Sequence, residues 1–379
     1  MTDEIIDSGG RVILSQISSR AFEHPADRTA LTALRSLTGF DQLIKAASGL
    51  LRERQYRLAY LASSVRVDER QFPAINDLFN EVVGVLDVEE RPELYVSANP
   101  FAQATTLGVD KPFIDLTSGL VELMDADELR FVLGHELGHA MSGHALYRSL
   151  LRHLLNLASL VGWIPIGGLG LRVVIAALRE WDRKSELSAD RAGLLACQDA
   201  EASRRAHMKL AGGAHLPEMD TTAFLSQAEE YENAGTLRDG ILKLLNTERS
   251  SHPFTVVRAA EIRRWIESGE YDRIIGGDYP RRSEDGSANF ADDAKDAAKG
   301  YKERFDNSSD QLVGAIRQVT DIAGSAADGL GGWLRRMATG QNGPAGSADS
   351  EPADEPEFGQ GGPETDDGPD DPFGTGRES

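Results

Sequence analysis

The chain has 379 residues, of which 40% are apolar, and it carries a formal net charge of −21. This length supports a sizeable hydrophobic core, which excludes a miniature scaffold that needs disulfides to fold. The single cysteine, Cys197, excludes an internal disulfide framework and a cysteine-rich metal cluster. The acidic first ten residues lack the basic and apolar stretches of a secretory signal, so we expect a cytoplasmic protein.

Much of the acidic charge lies at the C-terminal end. Residues 347–379 hold 11 acidic residues and one arginine, a net charge of −10, among many prolines and glycines. Such a segment buries too little apolar surface to offset its ordering entropy, so it is predicted to be a disordered acidic tail, either solubilising or used for docking. Residues 1–346 carry the remaining −11, which argues against a nucleic-acid-binding surface. No nucleic-acid partner is therefore predicted.

The sequence before residue 89 is typical of helices. Apolar residues recur at helical spacing in 40–63 and 75–86, so residues 1–88 are predicted to form an N-terminal helical region. The pattern then changes to three short stretches rich in β-branched and aromatic residues, which predict a small β-sheet. These stretches are 93–98, 103–108 and 111–120.

A helix is predicted directly after the sheet. Asp125 or Asp127 is placed to cap its N-terminus, because a side-chain oxygen there accepts hydrogen bonds from free backbone N–H groups. Together with the short strands, this helix predicts a mostly helical α+β fold. The apolar stripe of the helix consists of Leu129, Val132, Leu133, Leu137 and Ala140.

The most apolar part of the chain lies at about 150–180. Residues 154–171 are 18 residues without a charge, a length that nearly crosses a bilayer as one helix. Pro165 and several glycines interrupt this stretch and favour two short helices joined by a turn. An apolar helical hairpin that is buried or touches a membrane is therefore predicted, with a transmembrane pass as the alternative.

Residues 279–346 are predicted to form an amphipathic helical extension. Apolar residues from Leu312 to Met337 recur in alternating steps of four and three, which is the spacing of an amphipathic helix. Several intervening glycines weaken it as an independent helix. Residues 312–337 are expected either to dock on the body of the protein or to contact a partner or a membrane surface.

Three of the eight histidines lie within "GHELGHAMSGH", residues 134–144. His135 and His139 are four residues apart and share one helix face, so both imidazoles can bind one metal ion. Glu136 then lies beside the metal, where a general base takes a proton from metal-bound water. His144 points to a different face and is not expected to bind the metal. No partner is predicted for His24, His153, His207 or His215.

A catalytic zinc site needs a third protein ligand and an open fourth position. The segment "RKSELSADRAG" supplies Glu186 and, one helical turn later, Asp190 on the same face. Glu186 is the candidate third ligand, and Asp190 is placed to accept a hydrogen bond from the second nitrogen of a metal-bound histidine. Without the upstream motif, such a pair more often marks a solvated helix face.

With both segments present, the sequence resembles the gluzincin metallopeptidases of the HtpX and CaaX prenyl protease type. "ADELRFVLGHELGHAMSGH" is similar to the active-site helix of that family, and "SELSADRAG" is similar to its third-ligand helix. "NPFAQATTLGVDKPFIDLTSGL" and "SHPFTVVRAAEI" resemble its edge strand and its downstream His-Pro segment. The resemblance implies a zincin-type active-site helix packed near the small sheet, within a zinc metallopeptidase domain at 89–278.

The resemblance also implies individual residue roles. One Zn²⁺ per chain is expected on His135, His139 and Glu186, with Glu136 as the base and Asp190 supporting a ligand. The downstream segment contributes His252 and Arg258, which are expected to stabilise the oxyanion or to position the substrate.

The segment from Ala98 to Thr105 is expected to bind an extended peptide by strand addition. Pro100 and Phe101 stand where small residues are usual in the family, and Pro100 removes one backbone donor from this segment. The candidate substrate-binding residues are Ala98, Asn99, Phe101 and Ala102.

The predicted function is that of a zinc-dependent endopeptidase acting on peptide or protein substrates, and the resemblance implies a role in protein quality control. The alternative is a latent or chaperone-like zinc protein whose C-terminal extension mediates interactions. In that case the zinc is capped by His252 or the cleft is covered by the C-terminal helix. The sequence makes no prediction of the oligomeric state.

Overall fold

The computed structural model describes residues 9–35, 40, 53–108, 110–161, 168–233 and 254–285, and all of these belong to one compact unit. The strands are β1 Val65–Arg66, β2 Glu93–Ser97, β3 Ala104–Leu107 and β4 Phe113–Thr117. The first helices are α1 Pro25–Arg35, α2 Glu53–Ser63, α3 Pro73–Val85, α4 Ser118–Leu123, α5 Ala126–Met141 and α6 His144–Val161. The later helices are α7 Gly168–Cys197, α8 Ala200–Gly212, α9 Thr221–Asn233, α10 Thr255–Glu267 and α11 Glu270–Ile275.

The four strands form one sheet in the order β1-β2-β4-β3. β2 and β4 are parallel, whereas β3 lies antiparallel to β4 at the edge of the sheet. One face buries Ile114 and Leu116 in the main core, and the other face carries Tyr95 and Phe113 under Tyr60 of α2. The predicted α+β fold, mostly helical with a small sheet, is confirmed.

Helix α5 begins where the sequence predicts, and Asp125 is the residue that caps it. Its carboxylate accepts hydrogen bonds from the backbone N–H groups of Asp127 and Glu128 at 3.0 and 2.9 Å. The Glu128 carboxylate accepts one in return from the backbone N–H of Asp125 at 2.9 Å, which completes a capping box. Glu128 also pairs with Lys209 of α8 at 2.5 Å, so the start of the helix is fixed to its neighbour.

Helices α5 and α7 approach each other closely through small residues. A Cβ atom at Gly134 would lie 2.3 Å from the Ala196 side chain, and one at Gly138 would lie 2.6 Å from that of Ala192. A Cβ atom at Gly193 would lie 2.7 Å from the carbonyl oxygen of Phe131. This contact places the face of α5 that carries the histidines directly against the Glu186–Asp190 segment of α7.

The N-terminal residues share the main core. Leu14, Ile17 and Phe22 are fully buried in the same cluster as α3, the sheet and α5. Ile17 also forms a β-bridge with Arg281, so the described residues around 280 pack against the N-terminal segment. The predicted division into 1–88, 89–278 and 279–346 remains a prediction.

The apolar hairpin at about 150–180 stays a prediction, and helices α6 and α7 lie on either side of residues 162–167 within that stretch. Tyr147, Leu150 and Leu154 of α6 pack in one buried cluster with Leu178 and Trp181 of α7. Among the described helices, none is both long and apolar enough to cross a membrane. The predicted helix at 312–337 and the tail at 347–379 lie outside the described residues.

The contact between α5 and α7 predicts opposite effects for two glycine-to-alanine substitutions. Gly138→Ala should lower the free energy of unfolding by about 1–3 kcal/mol, because the new methyl group overlaps α7. Gly84→Ala on α3 is the matched control, since a Cβ atom there meets nothing within 4 Å. It should be neutral or stabilising by up to about 1 kcal/mol. Urea unfolding measures both changes, and equal effects would contradict the close approach of the helices.

Candidate active site

Three side chains converge between α5 and α7. The Nε2 atoms of His135 and His139 are 3.2 Å apart. Glu186 Oε1 lies 3.2 Å from His139 Nε2, and Glu186 Oε2 lies 3.6 Å from His135 Nε2. All three side chains are buried, and their potential ligand atoms lie within 4.8 Å of one another.

The spacing of these atoms fits a tetrahedral metal ion. Ligand atoms bound to zinc at about 2.0–2.2 Å in tetrahedral geometry are about 3.3–3.6 Å apart, close to the separations seen between the two histidines and Glu186. Neither Glu186 oxygen accepts a well-aligned hydrogen bond from the described residues, although Glu186 is only 2% exposed. A buried carboxylate aimed at two imidazole nitrogens is the arrangement that a cation stabilises.

A second layer of charged groups holds these side chains. Asp190 Oδ1 lies 2.9 Å from His135 Nδ1, and the same carboxylate accepts hydrogen bonds from Arg258 at 2.7 and 2.5 Å. Arg258 Nη1 also lies 2.9 Å from Glu186 Oε2. His207 Nε2 is 3.5 Å from Asp190 Oδ2. Because Asp190 accepts the Nδ1 proton of His135, Nε2 of that ring keeps its lone pair for a metal.

The buried charges set the ionisation of the site. Burial by itself raises the pKa of Glu186, but the guanidinium groups of Arg258 and Arg148 outweigh it and hold this pKa well below its usual value. Burial also raises the pKa of Asp190, which Arg258 likewise brings far below its usual value. Burial and the nearby Arg148 lower the pKa of His139. These directions favour two ionised carboxylates and a neutral imidazole, which are the forms that bind metal.

Glu136 lies beside the three converging side chains and does not join them. Its Oε1 atom is 4.0 Å from His135 Nε2, and its side chain is 1% exposed. The Thr106 hydroxyl on β3 lies 2.6 Å from Glu136 Oε2 and 2.9 Å from the Glu136 carbonyl oxygen. The edge strand therefore orients the Glu136 carboxylate.

Arg148 supplies a further positive charge from α6. Its Nη2 atom lies 3.3 Å from Glu186 Oε1, and its Nε atom lies 3.1 Å from Asp182 Oδ1. Sequence reasoning missed Thr106, Arg148 and His207 because each acts across a tertiary contact. No sequence signal marks Thr106, because its burial beside Glu136 is visible only in the structure.

The predicted substrate-binding residues lie in the loop between β2 and β3. Phe101 is 74% exposed, and its carbonyl oxygen accepts a hydrogen bond from the Thr117 hydroxyl at 2.6 Å. The carbonyl oxygen of Asn99 accepts one from the backbone N–H of Gly119 at 2.9 Å. Residues 98–102 thus form a loop bonded to β4 and to the start of α4, and the edge strand itself spans Ala104–Leu107. His252 lies outside the described residues.

A helix with two histidines and an intervening glutamate, facing a glutamate on a second helix, has the donor set of the His₂Glu metallopeptidases. Residues 69–266 match the model of peptidase family M48. The chain belongs to this family of metallopeptidases, and it is a metalloendopeptidase, which confirms the predicted hydrolase class.

Relatives that are named as metallopeptidases or proteases support the assignment to this family. Over 270 residues the chain is 33% identical to the chloroplastic plastoglobule-localized metallopeptidase 48 of Arabidopsis thaliana, covering 70% of this chain and 77% of that protein. It is 31% identical to human mitochondrial metalloendopeptidase OMA1 over 128 residues, or 29% of this chain and 24% of OMA1. A protease HtpX homolog of Bifidobacterium longum is 27% identical over 194 residues, or 44% of this chain and 63% of that protein. No solved structure gives a significant match.

Asp115 on β4 predicts a pH-dependent stability near this site. Burial, with a smaller contribution from Glu136, raises the pKa of Asp115 from 3.8 to about 6, against the hydrogen bond from Ser97. Because the folded protein prefers the protonated carboxyl, its stability falls as pH rises from about 4 to 6 and stays lower above. Asp115→Asn should therefore raise the free energy of unfolding at pH 8 by up to about 3 kcal/mol.

At pH 4 the same substitution should have a much smaller effect, below about 1 kcal/mol, because Asp115 is then protonated in the folded state and still protonated in nearly half of the unfolded molecules. Asp77→Asn, an exposed carboxylate on α3, is the control and should change stability by less than about 0.5 kcal/mol at either pH. Thermal unfolding at pH 4 and pH 8 measures both variants. A destabilised Asp115→Asn protein at pH 8 would contradict this assignment.

Proposed function

We propose that the chain is a zinc-dependent endopeptidase that hydrolyses peptide bonds of protein substrates. The observation that carries the proposal is the convergence of His135, His139 and Glu186 at tetrahedral spacing, with the Glu136 carboxylate beside them. Membership of a metallopeptidase family supports peptide or protein substrates. A His, His, Glu donor set suits zinc among the divalent metals.

The ligands in this proposal are His135 Nε2, His139 Nε2 and the Glu186 carboxylate. A zinc ion held by these residues would supply Lewis acidity, which polarises a carbonyl group and lowers the pKa of water. Glu136 takes a proton from the attacking water and passes it to the nitrogen of the leaving amine. The Thr106 hydroxyl keeps the Glu136 carboxylate turned toward that water.

Arg258 is assigned a positioning role in this scheme. The sequence predicted that it would stabilise the oxyanion or position the substrate, but its guanidinium group is 5% exposed and contacts Asp190 and Glu186. These contacts support a positioning role. Arg258 holds the ligand Glu186, and it also holds Asp190, which contacts the ligand His135. The oxyanion role predicted for His252 stays a prediction.

We propose that an extended substrate binds to the edge strand β3 by strand addition. β3 has a strand neighbour on one side only among the described residues, and its Thr106 hydroxyl contacts Glu136. A peptide paired with β3 therefore passes beside the proposed base. Phe101, exposed in the preceding loop, is positioned to contact substrate side chains.

The biological setting is proposed from the sequence and from its resemblance to the family. A role in protein quality control, a cytoplasmic location and a peripheral membrane contact remain predictions. The relatives named above include chloroplastic and mitochondrial proteins. The alternative of a latent or chaperone-like protein depends on His252 and residues 300–379, which lie outside the described residues.

Glu136→Gln tests the proposed mechanism. The amide keeps the size of the side chain and accepts no proton, so cleavage of unfolded casein should fall at least about 100-fold while bound zinc is retained. Glu122→Gln, on α4 away from the converging side chains, is the control and should cleave like the wild type. Equal cleavage by the wild type and Glu136→Gln would contradict Glu136 as the base.

A further inference from the structure

We propose that Asp27, on helix α1, positions the metal ligand His139 through the imidazole of His144. Helix α1 lies outside residues 69–266, the part of the chain that matches the family model. This inference rests on the proposed metal site and extends it. It makes the N-terminal helix part of the machinery that holds the metal.

The three side chains form an unbroken chain of polar contacts. His139 Nδ1 lies 3.0 Å from His144 Nδ1, and His144 Nε2 lies 3.1 Å from Asp27 Oδ2. The Ser188 hydroxyl donates a hydrogen bond to the same Asp27 oxygen at 2.6 Å. Ser188 in turn accepts a hydrogen bond from the backbone N–H of His24 at 2.9 Å. Asp27 is 1% exposed and His144 is 2% exposed, so bulk water does not compete for these contacts.

The direction of the hydrogen bonds follows from the orientation of His139. Its Nε2 atom faces Glu186 and His135, so in the metal-binding tautomer the ring proton lies on Nδ1. That proton is donated to His144 Nδ1, which leaves the His144 proton on Nε2, facing the Asp27 carboxylate. Every contact then has one donor and one acceptor, and Asp27 selects the tautomer of His139 through His144.

The backbone explains why His144 reaches His139. Helix α5 ends at Met141, and Gly143 adopts a left-handed conformation with φ of 67°. A residue with a side chain is strained there, whereas glycine is not. The turn starts a new helix at His144, whose ring packs edge-on against Trp181 with centroids 5.4 Å apart and returns to His139.

The two ligand histidines are thus held in matching ways. His135 meets the Asp190 carboxylate directly, whereas His139 meets the Asp27 carboxylate through one intervening imidazole. Asp27 Oδ1 accepts no hydrogen bond from the described residues. A buried carboxylate with one oxygen unpaired is costly unless a cation offsets its charge, and a metal at the other end of the imidazole chain supplies that offset.

A double-mutant cycle on metal affinity tests the chain of contacts. Asp27→Asn removes the charge and His144→Phe removes both ring nitrogens while keeping an aromatic ring against Trp181. The dissociation constant for Zn²⁺ is measured by competition with a chromophoric chelator, and the visible spectrum of the Co²⁺ form reports ligand geometry. Each single variant should raise the dissociation constant about tenfold or more. The double variant should bind no more weakly than His144→Phe, because Asp27 acts only through His144.

Glu81→Gln is the matched control. Glu81 is a carboxylate that joins Arg11 of the N-terminal segment to Arg130 of α5 at 2.9 and 2.8 Å, and it does not contact the histidines. The control should lower thermal stability and keep the wild-type zinc affinity and Co²⁺ spectrum. A purely structural role for Asp27 would make Asp27→Asn behave in the same way.

Each outcome decides the proposal. If the wild type binds Zn²⁺ and both single variants bind within twofold of it, the positioning role is overturned and the metal site stands. If the wild type binds no Zn²⁺, the proposed function and this inference fail together. Should Asp27→Asn not fold, Ser188→Ala replaces it, because it removes the hydroxyl that holds the Asp27 carboxylate. The Zn²⁺ dissociation constant of Ser188→Ala should be about threefold above that of the wild type, and an unchanged value would overturn the proposal.

Discussion

The close packing of helices α5 and α7 is the constraint on which the rest of the site depends. Gly134 and Gly138 on α5 meet alanines on α7 at distances that leave no room for a Cβ atom. Because the helices approach this far, the imidazoles of one and the carboxylates of the other meet at metal-ligand spacing. A metal site tolerates displacements of its ligand atoms of only about 0.2 Å. The close helix approach that the glycines allow is therefore needed to place the ligands.

The second requirement of the site is that the charges of its buried carboxylates are offset by positive charges. Glu136, Glu186 and Asp190 lie in a region with almost no solvent, and Arg148 and Arg258 supply the opposing charges. Burying one such charged group costs several kcal/mol unless it has a specific partner. Burying all three without partners would cost about as much free energy as the folding of a whole domain provides. Arg148 and Arg258 therefore offset the charges of the carboxylates that lie beside them.

The sequence predicted what depends on local periodicity and could not predict what depends on tertiary contact. Helix α5, its cap and the three strands follow from patterns within a few residues. The partners of Thr106 and His207 lie 30 and 17 positions away in sequence, and no local pattern marks them. The prediction that His144 points to another face assumed one continuous helix, whereas Gly143 turns the chain and returns that ring to His139. Residues 98–102, part of the segment expected to bind a peptide by strand addition, form a loop because their carbonyl groups bond to β4 and to the start of α4.

The central claim is that His135, His139 and Glu186 hold one zinc ion in a working peptidase site. Anomalous diffraction from crystals of the purified protein, measured above and below the zinc absorption edge, tests it most directly. The account predicts one anomalous peak per chain, present only above the edge and bounded by the two Nε2 atoms and the Glu186 carboxylate. A peak elsewhere in the chain, or metal-free density at this point in protein that cleaves casein, would contradict the account.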